Sequence, residues 1–242
     1  MLEIDKLSKE NRNFGFKLFF SYIIFTVLLI VSITIIHIYF SQDLVANKFQ
    51  REVKLQTAEK KDKFDKYFKT KKDALQAIAK NEYFVKYVDY GAYKYYIDLL
   101  LLTIMEANKD YMQIRYINEE GYEVLRFDRE KHSHEPYKSE ILQNKSNRYY
   151  FNDKRNKVEN RVWFSNLDLN MENGKVVRPY VPTLRAILPI YRNKVFEGIL
   201  IINYFMDEAL KQLSQTTLYD AILLNDHGEI LTHYNRSKNW SA

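Results

Sequence analysis

Three arginines carry the chemistry this sequence could perform. The segment YMQIRYINEEGYEVLRFD (111–128) holds two strand-like runs either side of a turn ending at Gly121, which predicts a β-hairpin. With Ile117 set opposite Tyr122, Arg115 faces Val124 and Gln113 faces Arg126, so Arg115 and Arg126 emerge diagonally adjacent on one face. Arg185 lies opposite the apolar side of its own run, made by Leu184, Ala186, Leu188 and Ile190. Three guanidiniums on one side of a sheet, near Trp163 and Tyr180, suit a carboxylate or another small anion, because the guanidinium fork grips such groups through two bonds at once. Each charge-assisted bond contributes about 1.5–3 kcal/mol net. The same arginines could instead pair with Glu119, Glu123, Asp128 or Asp168 and hold the fold, and the sequence leaves both readings open; Asp168 is kept among the candidate site residues.

Other chemistries find little support. The chain has no Cys, which removes thiolate metal sites, disulfides and cysteine nucleophiles. His132-x-His134-Glu135 lies in a polar stretch without a third partner and reads as solvated loop. No HExxH, Gly-rich phosphate loop or supported Ser/His/Asp order is present, so no catalytic residue, metal or cofactor is assigned. The 242 residues carry 37 Lys+Arg against 31 Asp+Glu, a net +6. That is about one net positive charge per 40 residues, too dispersed for the stripe a nucleic-acid binder needs.

The elements that must position the arginines follow from hydrophobic patterning. Residues 41–80 contain neither Pro nor Gly, and Val45, Phe49, Phe64, Phe68, Leu75 and Ile78 recur at three- and four-residue spacings, which predicts a long amphipathic helix. Its middle, KLQTAEKKDK (54–63), is polar and forms either a solvated stalk or one face of a loose homodimer. A second helix is expected over Ala92–Asn108 and a short one around Arg148–Asp153. Strands are expected at Val162–Asn170 and Lys175–Val181 around Asn173-Gly174, and at Thr183–Tyr191 and Phe196–Tyr204 around a polar turn. Ile199 to Ile202 are apolar on both faces, as a central strand requires. A helix at Met206–Ser214 precedes a further hairpin, Leu218–Leu224 with Glu229–His233. The order predicts an α+β fold: a long helix, then an antiparallel PAS-like sheet, then a partial second module.

Leu18–Phe40 reads LFFSYIIFTVLLIVSITIIHIYF, without a charged residue. At 1.5 Å per residue it reaches roughly 35 Å, enough to cross a hydrocarbon core of about 30 Å. A cleavable signal peptide has a shorter apolar core and a small-residue cut site, and neither is evident here. Lys6, Lys9, Arg12 and Lys17 before the span favour a cytoplasmic amino terminus and an extracytoplasmic remainder. His37, within the span, is expected to reach toward the interface. The expected organisation is a cytoplasmic tail (1–17), a transmembrane helix (18–40), a stalk with a first sensor module (41–215) and the start of a second (216–242).

The run WFSNLDLNMENGKVVRPYVPTLRAILPIYRNKVFEGILIINY (163–204), with YMQIRYINEEGYEVLRFDR (111–129), resembles the double Cache sensory domain of bacterial histidine kinases, diguanylate cyclases and chemoreceptors. The resemblance covers roughly residues 41–242. It implies a non-enzymatic ligand-sensing module in the inner membrane, and the chain is similar to such a receptor truncated before its second span and output domain. Members that bind amino acids pair an arginine and a nearby aromatic for the carboxylate with a late aspartate for the ammonium. Arg161-x-Trp163 matches the first part, while Asn203, five residues after Gly198, stands where the aspartate is expected. An amide cannot neutralise an ammonium, so the resemblance implies an anionic ligand without an amine. A tethered envelope enzyme or binding protein is the alternative.

Overall fold

A computed structural model describes residues 2–131, 133, 135–172, 175–216 and 219–240. The chain divides into two compact units, Met1–Glu59 and Lys60–Ala242. Helix α1, Leu2–Lys80, supplies the first unit and enters the second, as the unbroken periodicity requires. It is long and apolar enough to cross a membrane by length and composition. The hydroxyls of Thr26, Ser32 and Thr34 in its apolar stretch donate to the carbonyls of Tyr22, Leu28 and Ile30, at 2.8–2.9 Å, so these polar groups are satisfied within the helix itself.

In the second unit α1 ends at Lys80, where Asn81 adopts an extended conformation and its side chain accepts from the Tyr83 amide at 3.0 Å. That cap starts α2, Glu82–Tyr90, a helix the apolar spacing alone does not mark. Gly91 closes α2 with φ +66°, and α3 runs Lys94–Ala107 within the expected 92–108.

Strands β1 (Tyr111–Asn118) and β2 (Glu123–Asp128) form the expected hairpin. Short strands follow at β3 (Tyr137–Lys138), β4 (Trp163–Phe164), β5 (Asp168–Leu169), β6 (Met171–Glu172) and β7 (Lys175–Val176). β6 pairs with β7 as a separate ribbon; Asn173 and Gly174 between them lie outside the described residues, as do His132 and His134. The long strands β8 (Pro182–Arg192) and β9 (Val195–Phe205) enclose Asn193 and Lys194, both at positive φ, the geometry of a tight two-residue turn. The sheet order is β3-β2-β1-β9-β8-β4, with β5 also on β8, so β9 is central as its two-sided apolarity predicts. Helix α4 (Asp207–Ser214) and a small hairpin of β10 (Leu223–Leu224) and β11 (Ile230–Thr232) follow. The helix expected around Arg148–Asp153 is instead a chain of turns, and a 3-10 turn forms at Lys154–Lys157. Asp153 explains the shift: its carboxylate accepts from the Arg155 amide and holds the Arg155 guanidinium.

The two faces of the sheet differ. Leu184, Ala186, Leu188, Leu200, Ile202 and Tyr204 face the helices and pack with Leu75, Ile78, Phe84, Ile97 and Leu101. The opposite face carries an apolar cluster of Ile117, Tyr150, Trp163, Ile187, Ile199 and Ile201. Beyond it come polar residues, Gln113, Arg115, Arg185 and Asn203, all buried. At the edge of this unit Lys60 donates to the carbonyls of Gln212, Leu213 and Gln215 at 2.8–2.9 Å, closing the C-terminal end of α4 with a cation.

Candidate functional site

The hairpin register differs from the sequence expectation by one placement with large consequences. Arg115 stands directly opposite Arg126, and Gln113 opposite Asp128, because the register shifts between Tyr116 and Ile117. The two arginines are a cross-strand pair rather than diagonal neighbours. The irregularity also brings Glu123 to the side of Arg126, three residues on, which plain alternation would put on the other face.

Glu123 makes this pairing of like charges tolerable. Its carboxylate receives Arg115 Nη1 at 3.2 Å and Arg126 Nη1 at 3.4 Å, while Arg126 Nε reaches Asp128 at 2.8 Å. Arg185, on β8, binds Asp168 at 2.7 Å. On β9, Asn203 accepts from Arg115 Nη2 at 3.0 Å and donates to Gln113 at 2.8 Å, so its amide is oriented from both sides. Of the carboxylates considered as arginine partners, Glu123, Asp128 and Asp168 serve and Glu119 is exposed. The arginines are ion-paired, and the same groups line a cavity.

That cavity, of about 130 Å³, is lined by Arg115, Arg126 and Arg185, with Asn203 and Gln113 at its floor. Lys145 and Arg148, from the segment that follows the bridge between Tyr122 and Asn144 at the start of β2, complete a wall of five cations, and no described carboxylate lines it. Tyr150, 2% exposed, is the hub: Arg115, Arg148 and Arg185 stand 5.7, 5.8 and 5.8 Å from its ring centre. Its hydroxyl accepts from Arg115 Nη1 at 3.3 Å. Arg115 Nε is buried and has no hydrogen-bond partner, so a buried guanidinium of the site is left incompletely satisfied.

The electrostatics agree with a surplus of positive charge. Burial, joined by the like charges of Arg115 and Arg126 and opposed by Glu123, holds the Lys145 ammonium below the ordinary lysine value. Burial would raise the Tyr150 phenol, but Arg115, Lys145 and Arg148 outweigh it and its pKa is lowered.

The remaining candidates lie elsewhere. Trp163 donates its indole N–H to Asn156 at 2.9 Å and carries Arg155 over its ring at 3.8 Å. Tyr180 receives Arg178 on its hydroxyl and Lys131 on its carbonyl. Arg161 is exposed. Arg115, Arg126, Arg185 and Asn203 are thus gathered at one cavity with Asp168 directly behind Arg185, whereas Arg161, Trp163 and Tyr180 are not among its lining residues. Lys145, Arg148 and Tyr150 escaped sequence reading because they sit in an irregular polar stretch; the basic-aromatic run KSNRYY (145–150) was the available signal.

The model of the bacterial histidine kinase sensor domain matches residues 46–241. This chain belongs to that family. No curated protein matches the sensor domain. Among solved structures, it is similar to a domain of a sensory box/GGDEF family protein from Vibrio parahaemolyticus, at 20% identity and a TM-score of 0.70, covering 80% of this chain and 75% of the other. The extracellular domain of the histidine kinase vpHK1S-Z8 matches at 20% identity and a TM-score of 0.69, covering 80% and 71%. The ligand-binding domain of the Campylobacter jejuni chemoreceptor Tlp3, solved with L-norvaline, matches at 10% identity and a TM-score of 0.54, covering 74% and 65%. At these identities the likeness concerns the fold; the family match is what bears out the sensory-domain resemblance read from residues 111–129 and 163–204.

Within the sensor domain, Tyr150→Phe isolates the hydroxyl from the ring. The ring contacts with three guanidiniums persist, and Arg115 loses one acceptor. Urea unfolding is expected to show a loss of about 1.5–3 kcal/mol, the contribution of a hydrogen bond to a charged group; an unchanged midpoint would mean that the bond contributes nothing.

Proposed function

We propose that this chain is the membrane-anchored, extracytoplasmic ligand-sensing part of a bacterial signal-transduction receptor, and that its polar cavity binds a small anion, such as a carboxylate without an amine. Residues 18–40 serve as the anchor with the amino terminus cytoplasmic, residues 41–215 as stalk and first module, and residues 216–242 as part of a second. The observation that carries the ligand assignment is the wall of five cations, Arg115, Arg126, Lys145, Arg148 and Arg185, around a cavity that no described carboxylate lines. An ammonium placed among them would meet like charges and only neutral acceptors, with no described carboxylate in the lining to neutralise it. The domain acts as a binding module, and occupancy alters output by favouring one arrangement of the long helix over another.

The test is thermal denaturation of the purified chain with acetate, malonate, succinate and inorganic phosphate in parallel with L-norvaline. A bound anion at about 100 times its Kd adds about 2.7 kcal/mol to unfolding. A rise in Tm with at least one anion, and none with L-norvaline at equal ionic strength, supports the assignment. A rise with L-norvaline alone replaces it by an amino-acid sensor, and no rise with any probe removes it. Membrane fractionation tests the anchor separately.

Binding depends on pH in a defined sense. Lys145 titrates below its ordinary value of 10.5 and Tyr150 below 10.0. A bound anion stabilises the Lys145 ammonium and disfavours the Tyr150 phenolate, so binding takes up protons wherever either group is part-titrated. Affinity for the anion therefore falls as pH rises through these lowered values. Calorimetry from about pH 7 to about pH 10 is expected to show this decline. Lys145→Met should flatten part of it, leaving the part due to Tyr150.

A further inference from the structure

Lys71 occupies an unusual place for an ammonium. It lies on α1 at the helix–sheet boundary, 7% exposed, with Nζ 2.6 Å from Asp110 Oδ2. Three tyrosine rings surround the same nitrogen: Tyr67 at 5.0 Å, Tyr111 at 4.7 Å and Tyr204 at 5.0 Å. Tyr67 donates its hydroxyl to Asp110 at 3.2 Å, and Tyr111 meets Tyr204 edge-on at 5.1 Å. This is the chemistry of an aromatic cage for an ammonium, filled by the chain's own side chain.

Packing alone does not call for it. Leu75 and Ile78 secure the same helix to the sheet with apolar contacts, and an apolar residue at position 71 would avoid desolvating an ion. A caged ion fixes the helix at one position and orientation, which generic apolar packing does not.

The cage and the anion cavity share two strands. Tyr204 and Asn203 are adjacent on β9 and point to opposite faces, Tyr204 to Lys71 and Asn203 to Arg115 and Gln113. On β1, Tyr111 is the cross-strand partner of Tyr204, and Gln113 that of Asn203. A displacement of β1 against β9 driven by a ligand on one face moves the rings on the other face by the same backbone step.

We infer that Lys71 and its cage of Tyr67, Tyr111, Tyr204 and Asp110 form the joint through which occupancy of the cavity reaches the long helix. This inference rests on the cavity being a ligand site, and its test separates the two.

Full-length chain in phosphatidylcholine nanodiscs is titrated with succinate and with inorganic phosphate. Binding is read by calorimetry, and hydrogen exchange is followed over residues 64–78. In the wild-type chain a bound probe is expected to change helix exchange by about threefold or more. In Lys71→Met the probe still binds, within about threefold of the wild-type affinity, but helix exchange no longer responds. In Lys71→Ala, n-propylammonium, which replaces the atoms lost beyond Cβ, is expected to restore the response and, where the truncated side chain leaves the protein unstable, the fold. Binding with an unresponsive wild-type helix overturns the joint alone, as does an undiminished response in Lys71→Met or in Lys71→Ala without the amine. Failure of both probes to bind removes the cavity assignment and the joint with it.

Discussion

Arg115→Met is expected to abolish anion binding and to lower stability by about 3–5 kcal/mol, the cost of stripping one partner from a buried ion pair. Arg115 and Glu123 are 4% and 3% exposed, so neither can turn to water when the other is lost. Four groups lose a partner or a neighbouring charge together: Glu123, the Tyr150 hydroxyl, the Asn203 carbonyl oxygen and the Tyr150 ring face. Glu123 keeps Arg126 at the longer distance of 3.4 Å, which limits the damage but leaves one carboxylate between fewer donors. The double variant Arg115→Met/Glu123→Gln separates the effects. Removing the stranded charge should recover much of the stability in urea unfolding, while calorimetry still finds no anion binding. Full recovery of binding in the double variant would show that Arg115 is a structural partner of Glu123 and nothing more.

Gly198→Ala is expected to cost at least about 3 kcal/mol, as the sum of backbone strain and collision. Gly198 sits on the central strand at φ +130°, where an L side chain is strained, and a Cβ there would meet the Ile117 carbonyl oxygen at 2.0 Å and the Asn118 backbone at 2.9 Å. The neighbour is backbone of β1, so nothing can rotate aside. Relief requires β1 and β9 to part, and those strands carry Arg115 and Asn203. The variant should therefore lose anion affinity along with its melting temperature. A melting temperature within about a degree of wild type would mean that β9 can be repositioned at little cost.

Much of the architecture was legible because it rests on patterns with a fixed period. The long helix, the β8–β9 hairpin and the centrality of β9 follow from three- and four-residue spacing and from Ile199 to Ile202 being apolar on both sides. The break at Asn81 was not legible, because it depends on a capping amide rather than on a change in hydrophobicity. Nor was the hairpin register: a shift at Tyr116/Ile117 leaves no mark in composition, yet it turns two diagonal arginines into a facing pair and brings Glu123 between them. Four of the cavity's residues could be named from their types, while Tyr150 fell in the short helix expected around Arg148–Asp153, which gave its ring no place at the sheet. Lys71 was missed for the complementary reason. Apolar stripes identify what a helix buries, and a lysine buried among rings lies outside that rule.

The grip of Lys60 on the last carbonyls of α4 bears on mechanics. It ties together residues up to 155 positions apart, so nearly the whole second unit is a loop closed at its base. Fraying from the stalk end must first break three bonds to one ammonium before any strand is exposed. A pull or twist arriving along the helix meets α4 at that clasp before it reaches Lys71 and the strands beyond.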